Sequence, residues 1–167
     1  HNKTLGRIYR VAHTNDRWVQ VDLGEHTSLE LVELQLHPND WYVRHARRLL
    51  QERGPDRQVH AALKRMLRDN SDVTRRLRAL WALHVTNGLT DRELTALLGD
   101  EDEHIRGWAI QLLAEDGAVS RQAVVRMAAA AGEDPSPLVR RYLASAMQRL
   151  PLEQRWETVT RLASHEE

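Results

Sequence analysis

Three groups of residues in this sequence have side chains that could do chemistry. The first is its nine histidines, at positions 1, 13, 26, 37, 45, 60, 84, 104 and 165. A metal clamp on one helix needs two ligands three or four residues apart. No two of these histidines have that spacing. His37 and His45 could meet across one helical hairpin, but no third ligand accompanies them. The second is the run Asp100-Glu101-Asp102-Glu103. A catalytic carboxylate pair needs burial to move a pKa. Four in a row at a helix start read instead as a solvated N-terminus favoured by the helix dipole. The alternating ligands and turn glycine of a calcium loop are also missing. The third is arginine: Arg44, Arg47 and Arg48, then Arg75, Arg76 and Arg78, then Arg140 and Arg141, interleaved with Trp41, Trp81 and Trp108. Arginine beside tryptophan is the composition of a binding surface. No Gly-x-Ser-x-Gly elbow and no glycine-rich phosphate loop occurs.

The elements that must carry these residues are helical. The 167 residues suit one domain. Leu (24) and Ala (18) dominate the apolar set and favour helix. Lys+Arg and Asp+Glu are both 24, so the formal charge is zero and a uniformly basic nucleic-acid binder is disfavoured. The absence of cysteine excludes disulfides, thiolate metal sites, cysteine nucleophiles and haem attached through Cys-x-x-Cys-His. No apolar run reaches the length of a membrane span. The chain opens on His1 without an initiator Met or signal peptide and reads as part of a longer polypeptide.

Residues 1–24 differ from the rest. Leu5–Val11 and Arg17–Leu23 alternate and predict two short strands, with turn residues Thr14-Asn15-Asp16 between them. From Thr27 the apolar period becomes helical, with stripes such as Val59/Leu63/Met66/Leu67 and Val139/Tyr142/Leu143/Ala146. Thr27 with Glu30 and Thr90 with Glu93 form capping boxes. Glycines 54, 88, 99, 117 and 132 sit where helices should end. Leu152, Trp156, Val159 and Ala163 predict a ninth stripe. The polar residues Glu153, Gln154, Arg155, Glu157 and Arg161 are expected to give that helix the outer face of a cap.

Asp40-x-x-x-Arg44, Asp72-x-x-x-Arg76, Asp102-x-x-x-Arg106 and Ser136-x-x-x-Arg140 each open the second helix of a pair, with arginines 32, 30 and 34 residues apart. Such a period predicts stacked helical hairpins. Their expected limits are 27–54, 56–88, 90–117 and 120–150, with a capping helix over 152–165, so that residues 25–167 form one repeat domain. Ala79, Ala109 and Ala144 follow the arginines where two helices should approach closely, and Ala46 lies one position early. Each arginine is expected to reach its own cap aspartate or the next repeat's cap.

The recurring Asp-x-x-Val/Ile-Arg pattern with following Ala and Leu resembles HEAT repeats. The resemblance implies an all-α, right-handed α-α superhelix of about four hairpins used as an interaction scaffold. A narrower one lies in Gly6-Arg7-Ile8-Tyr9-Arg10-Val11, similar to the closing strand of a β-propeller. His37-Pro38-Asn39-Asp40-Trp41 with Arg44–Leu50 is similar to the HEAT segment that follows such a propeller in planctomycete and verrucomicrobial membrane-bound dehydrogenases with c-type haem. That likeness implies a periplasmic or extracytoplasmic, non-catalytic linker or docking domain, with protein as its partner and no catalytic, cofactor or metal residue of its own. The expected interaction face is Trp41, Arg44, Arg48, Arg76, Arg106, Trp108, Arg140 and Arg141. The alternative is a HEAT-like nucleic-acid binder or DNA glycosylase using the same Arg/Trp face.

Overall fold

The structure, a computed structural model, describes residues 20–165. The first expected strand and the start of the second lie outside the described residues. Residues 20–22 have no regular structure, and Leu23 is buried in the core.

Among the described residues the fold is all-α. Four hairpins follow one another. α1 (Ser28–Glu33), extended by a 3-10 turn Leu34–Leu36, pairs with α2 (Asp40–Arg53). α3 (Arg57–Asp69) pairs with α4 (Val73–Val85). α5 (Asp91–Ala96), extended by a 3-10 turn Leu97–Gly99, pairs with α6 (Glu103–Leu113). α7 (Arg121–Glu133) pairs with α8 (Pro137–Ala146). A 3-10 turn Leu152–Gln154 then leads into α9 (Trp156–Leu162). The helices form two layers. α1 packs on α3, α5 on α7 and α7 on α9, while α2, α4, α6 and α8 pack in succession.

Local chemistry sets the helix starts. Thr27 and Thr90 accept the N–H of Glu30 and Glu93, and each glutamate accepts its threonine's backbone N–H at 2.6 and 2.9 Å. The even helices begin at Asn39, Asp72, Asp102 and Ser136, whose side chains accept orphan N–H groups of the first turn. The first of these corrects the expected register: the cap is Asn39, and Asp40 is the first helical residue. Counted from the true caps, Ala46, Ala79 and Ala109 occupy one position, all fully buried. The apparent offset of Ala46 therefore disappears. The fourth hairpin has Leu143 there, also buried, and Ala144 is exposed instead of lying at a close approach.

The hairpins also alternate. The first and third begin with a six-residue helix and a 3-10 turn, the second and fourth with a 13-residue helix. Equivalent caps lie 63 or 64 residues apart: Thr27 and Thr90, Asn39 and Asp102, Asp56 and Ser120, Asp72 and Ser136. The chain thus repeats a two-hairpin unit as well as a single one. In the first short helix the 3-10 turn places Gln35 in the core, where its Nε2 donates to the carbonyls of Leu31 and Val43.

One core runs the length of the stack through Leu31, Leu50, Leu63, Leu80, Ile110, Met127 and Leu143. The helix ends use left-handed backbone less often than the glycines suggested. Gly54 and Gly117 have positive φ, but at the end of α4 Asn87 takes that conformation (φ 57°). Gly88 is needed for space, since a Cβ there would lie 2.7 Å from the His60 ring.

Gly107, in the middle of α6, has the same role. A Cβ would lie 2.7 Å from Cδ2 of Tyr142 on α8. Glycine normally costs a helix interior about 1 kcal/mol relative to alanine. Overpacking here costs about 1–3 kcal/mol and should outweigh that gain. Gly107→Ala should therefore lower the thermal midpoint, and adding Tyr142→Leu should restore it. A rise in midpoint for the single variant would refute the close-packing account.

Candidate interaction surface

The three-residue turns inside the four hairpins, 37–39, 70–72, 100–102 and 134–136, are built alike. The residue two before the cap, His37, Asn70, Asp100 or Asp134, accepts the backbone N–H of the cap residue at 2.9–3.0 Å. Two of these acceptors do a second job. Arg76, one turn into α4, donates from Nη2 to Asp100 Oδ2 at 2.6 Å and from Nε to the Leu67 carbonyl at 2.7 Å. Arg106, one turn into α6, holds Asp134 with two bonds of 2.7 and 2.9 Å, and its Nη1 donates to the carbonyls of Asp100 and Glu101. Both arginines are about nine-tenths buried at the side chain. Each links its own hairpin to the turn of the next. The bond to Asp134 raises the pKa of Arg106, against the smaller opposing effect of burial.

Each expected surface residue now has a place. Arg76 and Arg106 are bonded inward and are not offered to a partner. They reach the acid two residues before the next cap, not the cap itself. Arg44 is not their equivalent, because Val43 holds that position, counted from Asn39. Arg44 is exposed and pairs with Asp40 at 2.5 Å within α2. Arg48 is exposed and pairs with Glu52. Arg140 is half-buried and donates to the Asp134 carbonyl at 2.6 Å. Arg141 is exposed beside Gln111, Tyr142 and Ser145, around an open depression of about 320 Å³. Trp41 is 50% exposed, stacked on His45 with ring centroids 5.0 Å apart. Trp108 is half-buried and meets Trp81 edge-on at 4.9 Å.

Trp81, grouped with the arginines in the sequence but left out of the expected face, joins three helices. The Arg47 guanidinium lies 5.4 Å from its ring, and Trp108 lies on α6. Burial, with the like charges of Arg44 and Arg78 nearby, depresses the Arg47 pKa despite attraction to Asp40. Arg78 turns back to the first hairpin and donates to the carbonyls of Gln35 and His37. The even layer therefore presents arginines mostly neutralised by its own carboxylates, and His84 Nε2 lies 2.5 Å from Glu115 Oε2. Among the described residues no group of three or more histidines and carboxylates is placed to hold a metal ion. No helix among them is long and apolar enough to cross a membrane.

On the odd layer, a groove of about 550 Å³ opens between α3 and α5, over the Arg76–Asp100 pair. Lys64 and Glu93 bridge it at 2.5 Å. Burial pushes the Glu93 pKa up, but the bonds from Lys64 and Thr90 together outweigh it and hold the carboxyl below its ordinary 4.5. Glu30 is lowered too, by the backbone and side-chain bonds of Thr27.

The geometry gives two expected outcomes. Removing one member of a nearly buried ion pair costs about 3–5 kcal/mol, because the other charge is left uncompensated. Arg76→Val should lose stability on that scale in urea unfolding. Adding Asp100→Asn should return most of it, since Val43 and Asn70 hold the equivalent positions one hairpin earlier. If the double variant is as weak as the single, the pairing does not set the loss. The depressed carboxyls of Glu30 and Glu93 give stability that is present above the unfolded value near 4.5 and lost as pH falls through their folded values. The urea midpoint should drop below about pH 4.5, and Glu93→Gln should flatten part of that drop. An unchanged profile in the variant would remove Glu93 from the acid response.

Compared with known proteins, the chain matches no family profile and no curated protein.

Proposed function

We propose that this chain is a non-catalytic HEAT-like interaction module, a right-handed stack of hairpins that links or docks the domains of a larger extracytoplasmic oxidoreductase. The hairpin period, the three-residue turns and the succession of two layers support the repeat reading. The observation that carries the linking role is where apolar surface lies. Of the eight large apolar side chains exposed among the described residues, seven belong to the two ends of the stack. They are Val21, Leu29, Leu36 and Trp41 at one end and Leu152, Trp156 and Val159 at the other, with Val125 the exception. Contiguous exposed apolar surface marks an interface. A stack covered along its length and open at both ends suits a piece set between neighbours.

The paired state of Arg44, Arg48, Arg76 and Arg106 counts against the nucleic-acid alternative. Phosphate contacts dominate such binding and need uncommitted cations.

The intact gene product tests the reading. It should carry a propeller-type segment before this chain and a haem-binding Cys-x-x-Cys-His segment beyond it. Within that product, Trp41 should be shielded from acrylamide several-fold better than in the 167-residue chain. A gene product of this length alone, or equal quenching of Trp41 in both, would overturn it.

A further inference from the structure

One arginine on the even layer is left out of the pairing that holds its neighbours. Arg44 and Arg78 share Asp40, at 2.5 and 3.3 Å, and Arg48 meets Glu52. Arg47 makes no hydrogen bond or ion pair among the described residues. Its guanidinium lies over the Trp81 ring, and its Nη1 is buried without an acceptor. The indole Nε1 of Trp81 is a second buried donor with none. Such groups are rare in folded proteins, and each calls for an explanation.

The other edge of the Arg47 guanidinium is open. Nε and Nη2 have no partner either, and they are not buried. That is the edge with which Arg106 holds Asp134, Nε to one oxygen at 2.7 Å and Nη2 to the other at 2.9 Å. Two parallel N–H donors in one plane match a carboxylate. Contact with Trp81 and burial of Nη1 hold the fork in place before anything binds, so binding sacrifices little side-chain freedom.

Charge around the fork favours an anion. Asp40 attracts Arg47, while Arg44 and Arg78 repel it. Three guanidinium groups thus lie around one carboxylate. Partial burial makes the uncompensated cation costly. The surface beside it is aromatic, with Trp81 and Trp108 both half-buried and edge to face. One open fork next to two tryptophans suits a single acidic side chain set among apolar ones. A phosphate backbone asks instead for a run of uncommitted cations.

We infer that Arg47, seated on Trp81, is a docking point for an aspartate or glutamate side chain of a protein partner, held through Nε and Nη2. The inference rests on the module reading above and names the chemistry that the even layer takes.

Proton–nitrogen NMR of the isotopically labelled 167-residue chain tests it. Hexaglutamate blocked at both ends should shift the Arg47 Nε–H and Trp81 indole resonances in a saturable way, and blocked hexaglutamine should not. Arg47→Gln should weaken that binding about tenfold, the size expected for one charge-assisted pair. Asp40→Asn removes the internal competitor and should tighten binding several-fold, an effect that misfolding cannot imitate. Arg121→Gln, at an exposed position on the odd layer, should change neither resonance nor affinity. Unaltered hexaglutamate binding by Arg47→Gln, or no shift at Arg47 and Trp81, overturns the inference. So does tighter binding of a thymidine oligonucleotide of the same charge at those two resonances. The module reading survives such results if Trp41 is shielded in the intact gene product, and it fails separately if Trp41 is not.

Discussion

The bidentate bond between Arg106 and Asp134, with its counterpart between Arg76 and Asp100, fixes how one hairpin sits on the next. Apolar contact drives the hairpins together but has no direction. Leucine and alanine faces alone would tolerate sliding along the helix axes. A guanidinium fork holding a carboxylate tolerates little. The same aspartate also accepts the N–H of the next cap residue, so it ties the arginine, the turn and the start of the following helix into one unit. Burial would make either charge costly alone, and that cost couples the turn to the arginine.

That constraint accounts for the character of the surfaces. Arginines committed to turns are not available to a partner, and Arg44, Arg48 and Arg78 on the even layer each meet a carboxylate on their own or a neighbouring helix. The face keeps its aromatic row, Trp81 against Trp108 with Arg47 over the first ring. Among the described residues apolar surface is left chiefly toward the two ends of the stack, at Trp41 in the first hairpin and at Leu152 and Trp156 in the last. The odd layer opens over the Arg76–Asp100 pair, where Lys64 and Glu93 span the gap at the junction of the two two-hairpin units.

Much of this was legible from residue order. The capping boxes at Thr27 and Thr90, the caps at Asp72, Asp102 and Ser136 and the apolar stripes of α3 and α8 lie where periodicity and cap chemistry place them. Local signals suffice there because a cap or a stripe depends on residues within a turn or two. The first hairpin misled by one residue: Asn39 and Asp40 are both good caps, and Asp40 with Arg44 mimics the long-range pair. Gly107 gave no local sign of its purpose, because that purpose is the Tyr142 ring on another helix. The fourth cap, Ser136, hid the acid that matters, Asp134, two residues before it.

The sequence by itself determined the all-α class, the helix starts and the hairpin period, since each follows from backbone hydrogen bonding and side-chain spacing within a short stretch. Only the tertiary structure decided which arginines are structural. Arg44 and Arg76 look alike in the chain, but one lies in solvent and the other under the next hairpin's turn. It also decided which side of α9 faces out. Amphipathic spacing shows that a helix has an apolar face, not whether a neighbour is present to cover it. Burial depends on residues distant in sequence, and in this stack the deciding partners lie a full hairpin away.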